Sequence, residues 1–218
     1  AMGQGLLMAR WTAAFQAHHL DAAQVLLTTD DVMRRDHYTN VRAALSRLLG
    51  LGVVPILNEN DAVTTRELRF GDNDRLAALI AQMIKADALV LLTDVDGLYT
   101  APPDHPGSEL IERVASADDL MSVLVTGAGS RVGTGGMATK VQAAMLATAS
   151  GIGVQLASAN DLRSVLEGRR VCTWFEPSAQ RPASRRLWIA HVAPSRGEII
   201  VNEGAAKAIT VGKKSLMV

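Results

Sequence analysis

Short apolar runs alternate along this chain with longer segments in which apolar residues recur every three or four positions. The first pattern is typical of buried strands and the second of amphipathic helices. The predicted strands are 22–28, 53–57, 88–93, 154–157, 171–175 and 187–192. The predicted helices are 4–18, 40–51, 75–86, 118–125, 137–150 and 161–167.

Acidic residues before two of these helices are in positions typical of N-caps. Asp30 or Asp31 is expected to cap a helix after the first strand, and Asp74 is expected to cap the helix 75–86. Within the polar stretch 58–74, the sequence TTRELRF alternates enough to predict a surface hairpin.

Strands that are apolar throughout and separated by helices indicate a parallel sheet that is covered on both faces. We therefore predict an α/β protein, a three-layer αβα sandwich with a mainly parallel central sheet. The proline- and arginine-rich segment Pro177–Arg186 interrupts this pattern and predicts a linker.

Composition narrows the classes of function. Lysine plus arginine number 22 and aspartate plus glutamate number 22, so the formal net charge is zero, and no nucleic-acid partner is expected. The single cysteine, Cys172, cannot form an intrachain disulfide, so the core must stabilise the fold. The sequence has no leader pattern at its start and no apolar run of about 18 residues. We expect a cytoplasmic protein without a membrane partner.

Polar side chains gather where two predicted strands end. Asn58–Asp61 follows the strand 53–57, Thr93–Gly97 closes the strand 88–93, and Gly71–Asp74 opens the helix between them. Each cluster alone is typical of turns and N-caps. Together they would share the carboxyl edge of a parallel sheet, where ligands bind in α/β proteins. This pattern favours a binding site.

The glycine-rich segment Gly133–Lys140 opens a predicted helix. Glycines allow backbone N–H groups to approach a phosphate, and Lys140 lies about one turn into the helix. A flexible loop with a solvated lysine explains the segment equally well. The phosphate-loop pattern is absent, because a threonine precedes Lys140. The dinucleotide pattern G-x-G-x-x-A matches at Gly133, Gly135 and Ala138, but no strand is predicted immediately before it.

Four segments closely resemble the amino acid kinase superfamily and, within it, the glutamate 5-kinases. They are LNENDAV (57–63), FGDNDRLAALIA (70–81), LVLLTDVDGLYTAPP (89–103) and GTGGMATKVQAA (133–144). The sequence TDVDGLYT is shared by many members of the superfamily. The order NEND, FGDND and GTGGM-x-TK is more specific to glutamate 5-kinases.

The resemblance implies phosphorylation of the L-glutamate side chain by ATP with Mg²⁺, giving L-glutamyl 5-phosphate, the first step of proline biosynthesis. It implies Asp74 and Lys140 as catalytic residues. The residues implied for glutamate are Asp61 and Asn73, assisted by Asn58 and Asp72. The residues implied for ATP are Thr93, Asp94, Thr134, Gly135, Gly136, Met137, Ala138, Thr139 and Lys140. No resident metal ligand is implied. Family members are often inhibited by proline and usually form homo-oligomers, so we expect both here.

Two features of the family pattern are absent from this sequence. Family members begin with a lysine-bearing V-K-x-G strand and an S-G-A-I loop, and neither is found here. We therefore expect an N-terminally incomplete amino acid kinase domain at 1–180, a linker at 181–198 and the start of a PUA domain at 199–218. On its own, such a chain is expected to fold poorly or to be inactive. The alternatives are a kinase for acetylglutamate, aspartate or UMP, an NAD-dependent oxidoreductase, and a non-catalytic binding fragment.

Overall fold

The computed structural model describes residues 2–63, 73–116, 119–120, 136–169, 172–179 and 204. The helices within these ranges are α1 (Met2–Gln16), α2 (Thr29–Met33), α3 (Arg35–Gly50), α4 (Asn73–Ile84), α5 (Met137–Ala149) and α6 (Leu162–Leu166). The strands are β1 (Asp21–Leu27), β2 (Val53–Glu59), β3 (Ala88–Thr93), β4 (Arg113–Val114), β5 (Gly153–Ser158) and β6 (Cys172–Phe175). The predicted α/β alternation is confirmed, and β3 has the predicted bounds.

The strands of the described residues form two hydrogen-bonded sheets, where the sequence predicts one. β1 pairs with β2 in parallel, and the second sheet has the order β3-β5-β6-β4. In that sheet β3 is parallel to β5 and β4 is parallel to β6, whereas β5 and β6 are antiparallel. The arrangement is mainly parallel, as expected. Apolar strand patterns predict burial, but they do not specify which strand pairs with which.

The four-stranded sheet has helices on both faces. Val154 and Leu156 of β5 join a core cluster with Ala144 of α5, whereas Ala157 packs with Val165 of α6. Because successive residues of a strand point to opposite faces, α5 and α6 cover opposite sides of this sheet. This is the predicted three-layer arrangement, and it explains why β5 is buried almost throughout.

Helix α4 packs against both sheets. Its residues Ala78 and Ala81 belong to the core of the four-stranded sheet. Its residues Leu79 and Met83 belong to a second core, which includes Leu27 of β1. α4 therefore joins the two cores, and a displacement of this helix would alter the packing of both.

The N-cap of α2 differs from the prediction. Thr28 is the capping residue, and its side-chain oxygen accepts a hydrogen bond from the Asp31 N–H. The Asp31 carboxylate in turn accepts bonds of 2.7 Å from the Thr28 N–H and from its hydroxyl. This is a capping box, in which the side chains of a threonine and of an acidic residue three positions later each accept a hydrogen bond from the other's backbone N–H. The prediction of Asp30 or Asp31 as N-cap was wrong, because Asp31 is the reciprocal partner.

Several predicted boundaries also move. α3 begins at Arg35, five residues before the predicted start. α4 begins at Asn73, so Asp74 lies within its first turn and does not cap it. β2 continues through Asn58 to Glu59, because the ladder with β1 extends that far. The segment TTRELRF, most of the predicted helix 118–125, the predicted strand 187–192 and almost all of 181–218 lie outside the described residues.

Among the residues that the structure describes, no helix has the length and apolar character needed to span a membrane.

Candidate functional site

The N-terminal turns of α4 and α5 bring two opposite charges together. The Lys140 Nζ lies 2.8 Å from Oδ1 and 3.0 Å from Oδ2 of Asp74. The two side chains are only 17% and 16% exposed, so water screens their attraction much less than it would at the surface. Both oxygens of the carboxylate therefore have a cationic partner in this state.

A hydroxyl contacts the same carboxylate. The Thr139 Oγ1 lies 3.1 Å from Oδ2 of Asp74, and also 3.1 Å from the carbonyl oxygen of Gly136. Gly136 is the N-cap of α5 and supplies no side-chain cap. This helix end therefore presents backbone N–H groups at the place where a lysine and a hydroxyl converge.

Two asparagines form the next contact. The Asn73 Nδ2 donates to the Asn58 Oδ1 over 3.0 Å, which links the start of α4 to the end of β2. The bond leaves the Asn58 amide nitrogen as a donor and the Asn73 amide oxygen as an acceptor. Because Asn73 directly precedes Asp74, the amide pair and the ion pair both involve the first turn of α4.

The carboxyl ends of β3 and β5 lie side by side. Thr93 pairs with Ser158 in the ladder, and the Thr93 hydroxyl donates to Asp94 Oδ1 over 3.0 Å. α4 leads directly into β3, and α5 leads into β5. Each of these helices therefore begins at the edge where its strand ends. The sequence did not single out Ser158, although its position after an apolar run was a usable signal.

The loop after β3 is fixed by close packing. The Leu98 N–H donates to the buried Thr173 Oγ1 over 2.7 Å, and the Tyr99 hydroxyl donates to Asp96 Oδ1 over 2.8 Å. The bond to Asp96 raises the pKa of the Tyr99 phenol. At Gly97 a side chain would meet Thr173, because a Cβ there would lie 2.6 Å from the Thr173 Oγ1. These contacts hold the segment that follows Thr93 and Asp94.

The remaining predicted site residues lie in the turn after β2, in the first turn of α5 or outside the described residues. Asp61 is exposed in the turn after β2, where the Asn60 N–H donates to the Leu27 carbonyl over 2.7 Å. Met137 and Ala138 are half-buried in the first turn of α5. Asp72, Thr134 and Gly135 lie outside the described residues. The structure thus brings together Asn58, Asn73, Asp74, Thr139 and Lys140.

A metal cage built by the protein alone is not found in the described part of the chain, which contains no group of three or more His, Cys, Asp or Glu side chains able to hold an ion.

Comparison with protein families identifies the architecture that carries this cluster. Residues 1–158 match the model of the amino acid kinase family. The chain belongs to the amino acid kinase family. The site residues Asn58, Asn73, Asp74, Thr139 and Lys140 all lie within the matched part.

Curated relatives are similar to this chain along its whole length. The glutamate 5-kinase of Thermobifida fusca is 52% identical over 219 residues, and that of Salinispora arenicola is 53% identical over 218 residues. Each alignment covers 100% of this chain but only 56% and 59% of the respective relative. The chain thus spans somewhat more than half the length of the curated relatives it matches.

Solved structures support the fold. A carbamate kinase from Giardia lamblia, bound to AMP-PNP, superposes with a TM-score of 0.60 at 17% sequence identity. The superposition covers 81% of this chain and 71% of the carbamate kinase. At that identity the similarity concerns the fold alone.

Proposed function

We propose that this chain is part of a glutamate 5-kinase, which transfers the γ-phosphoryl group of ATP to the side-chain carboxylate of L-glutamate. The product would be L-glutamyl 5-phosphate. The substrate assignment rests on the identity of about half of all positions to glutamate 5-kinases along the whole chain. The observation that supports phosphoryl transfer most directly is the partly buried contact of Lys140 with Asp74 at two helix N-termini.

The chemistry requires little from the protein beyond alignment and charge. A carboxylate oxygen is already a nucleophile, so no general base is needed to activate it. In-line transfer of a phosphoryl group is promoted mainly by positioning and by neutralising the charge on its oxygens. A lysine beside backbone N–H groups supplies this, and a Ser-His-Asp arrangement is not required.

Lys140 is proposed to neutralise charge on the transferred group. In the described state its ammonium is held by Asp74. A bound triphosphate would offer the same ammonium a stronger anion a short distance away, and its flexible stem allows it to move there. Asp74 would then orient the charged groups around the phosphoryl group.

The asparagine pair is proposed to bind the amino acid end of glutamate. The donor left on Asn58 suits a carboxylate and the acceptor left on Asn73 suits an ammonium, so together they match a zwitterion. Asp61, in the exposed turn after β2, would add a negative charge for the ammonium. Asp72 would assist by positioning.

The nucleotide is proposed to lie along the edge formed by the ends of β3 and β5 and the start of α5. Thr93 and Asp94 would contact it from the strand end, where ligands bind in sheets of this kind. The segment Thr134–Lys140 would hold its phosphates, because the N-terminus of a helix presents free N–H groups to anions. The carbamate kinase from Giardia lamblia, which shares this fold, is itself bound to AMP-PNP.

Mg²⁺ is proposed to arrive with ATP. This ion keeps several of its waters and is bound in kinases largely through the phosphates, with one or two carboxylates. When bound, the ion supplies neutralisation of phosphate charge.

The assembly and context are also proposals. We propose an amino acid kinase domain at 1–180, followed by a linker and the start of a PUA domain, and the family match over residues 1–158 supports the first part. Formation of a homo-oligomer, inhibition by proline and a cytoplasmic location are carried over from the resemblance.

The test is a substrate panel with the complete gene product. ADP release would be measured with L-glutamate, N-acetylglutamate, aspartate, UMP and carbamate, with and without EDTA, and hydroxylamine would trap any acyl phosphate. We expect Mg²⁺-dependent turnover with L-glutamate and formation of its hydroxamate. Turnover with another substrate alone, or binding of NAD without binding of ATP, would overturn the proposal.

A further inference from the structure

The Thr139 hydroxyl has a single proton, and acceptors from two helices lie within hydrogen-bond distance of it. Asp74 Oδ2 and the Gly136 carbonyl oxygen both lie 3.1 Å from the Thr139 Oγ1. A threonine hydroxyl donates one hydrogen bond at a time. In a helix, threonine divides between two side-chain rotamers because its oxygen can bond the carbonyl three or four residues earlier. Gly136 is the residue three positions earlier.

The two contacts on Asp74 differ in kind. Lys140 provides a charge on a long flexible stem, which attracts the carboxylate but fixes its orientation poorly. Thr139 provides a hydroxyl on a short, β-branched side chain, which a helix restricts to two main rotamers. The two residues are consecutive on α5, so they approach the carboxylate from different directions.

We propose that Thr139 is a positioning residue that holds the Asp74 carboxylate in place when Lys140 moves to the phosphoryl group. This inference rests on the proposed function, because only phosphoryl transfer requires Lys140 to leave. Without the hydroxyl, Asp74 would lose a contact that restrains its carboxylate at the moment when its orientation matters. The resemblance assigned Thr139 to the nucleotide, and the geometry points to Asp74.

The kinetic test uses two substitutions in the complete gene product. T139V keeps the shape of the side chain and removes the hydroxyl, whereas T139S keeps the hydroxyl. A positioning role predicts that T139V lowers kcat by about 10- to 100-fold, since small misplacements at a reacting centre have effects of this size. The KM for ATP should change less than threefold, and T139S should recover kcat to within about threefold. A T139V enzyme with unchanged kcat, or with a raised KM for ATP as its main defect, would overturn the inference.

A second measurement does not depend on catalysis. The thermal midpoints of T139V, D74A and the double variant form a cycle that reports whether the two side chains interact. If the hydroxyl bonds Asp74, the decrease in thermal midpoint of the double variant should be smaller than the sum of the two single decreases. If the hydroxyl bonds only the Gly136 carbonyl, the decreases in thermal midpoint caused by T139V and by D74A should add in full. That result would overturn the inference. Absence of kinase activity from the wild-type protein would instead overturn the proposed function.

Discussion

Lys140 and Asp74 are 66 residues apart in the chain, yet the lysine Nζ lies within 3.0 Å of both carboxylate oxygens. The contact forms because each residue occupies the first turn of its helix and because α4 and α5 pack against one another. It couples the two helices that begin at the carboxyl edge of β3 and β5. Any anion that binds at the start of α5 competes with Asp74 for the same ammonium.

Removing the Lys140 charge should therefore impair catalysis far more than folding. For K140M we expect kcat to fall by roughly 100- to 1,000-fold, the size seen when one charge-stabilising donor is removed from an active site. The matched control is R163M, which removes an exposed cation from α6. Steady-state kinetics with ATP and L-glutamate measure both variants. Equal decreases in kcat for K140M and R163M would show that the charge of Lys140 has no special role in catalysis.

Substitution of the asparagine pair should weaken binding of glutamate more than binding of ATP. In N58A and in N73A the remaining amide loses its partner, and one of the groups that we propose for binding glutamate is removed. A neutral hydrogen bond contributes about 0.5–1.5 kcal/mol, so the KM for glutamate should rise about 3- to 10-fold, with the KM for ATP nearly unchanged. N40A, at an exposed position of α3, is the control and should leave both values unchanged. A selective rise in the KM for ATP would contradict the assignment of this pair to the amino acid.

The loop after β3 should tolerate no side chain at Gly97. A Cβ there would lie 2.6 Å from the Thr173 Oγ1 and 2.8 Å from Leu110 Cδ1, and the Thr173 oxygen already accepts the Leu98 N–H. Overpacking of a filled core typically costs about 1–3 kcal/mol, so G97A should lower the free energy of unfolding by that amount.

The matched control for this change is G50A, at the end of α3, where an added Cβ meets nothing within 4 Å. Alanine has the higher helix propensity, so G50A should be neutral or slightly stabilising. Chemical denaturation of both variants measures the difference. Equal stability of G97A and G50A would mean that the loop can move away from Thr173.

The capping box of α2 should make stability depend on acid pH. Partial burial by itself raises the pKa of the Asp31 carboxyl. The hydrogen bonds from Thr28 and from His37 outweigh this effect and hold the pKa below its ordinary value of 3.8. A group whose pKa is lower in the folded state stabilises the fold above the ordinary value, and its contribution is lost as the pH falls through the folded pKa.

Comparison of D31A with D30A isolates this contribution, because Asp30 is an exposed neighbour in the same helical turn. At pH 6 we expect D31A to be less stable than the wild type by about 1 kcal/mol, as for the loss of other capping groups. The difference should narrow as the pH is lowered below 3.8. D30A should show neither effect. Thermal unfolding between pH 2 and pH 6 makes the measurement, and a pH-independent difference would contradict the role of the charge.

The amino-acid sequence determined the local structure of this protein to a large extent. The apolar run 88–93 is a strand with the predicted bounds, and the helix predicted at 137–150 is observed as Met137–Ala149. Hydrophobic periodicity is a local signal. It predicts a helix where a segment buries one face, and it predicts a strand where a short apolar run is buried on both faces. The N-cap of α2 was predicted wrongly, because aspartate and threonine are both common N-caps and only the structure shows that Thr28 caps the helix with Asp31 as its reciprocal partner.

What only the tertiary structure decided is which residues meet. The sequence placed Asn58, Asn73 and Asp74 at one edge of a sheet and Lys140 about one turn into a helix. It contained no signal that Lys140 bonds Asp74 or that Thr139 contacts the same carboxylate. It also predicted one sheet where the described strands form two. The contacts on Asp74 and the division into two sheets both depend on contacts between residues distant in the chain. Such contacts are set by tertiary packing, as in the packing of α4 against both cores, and not by any local pattern.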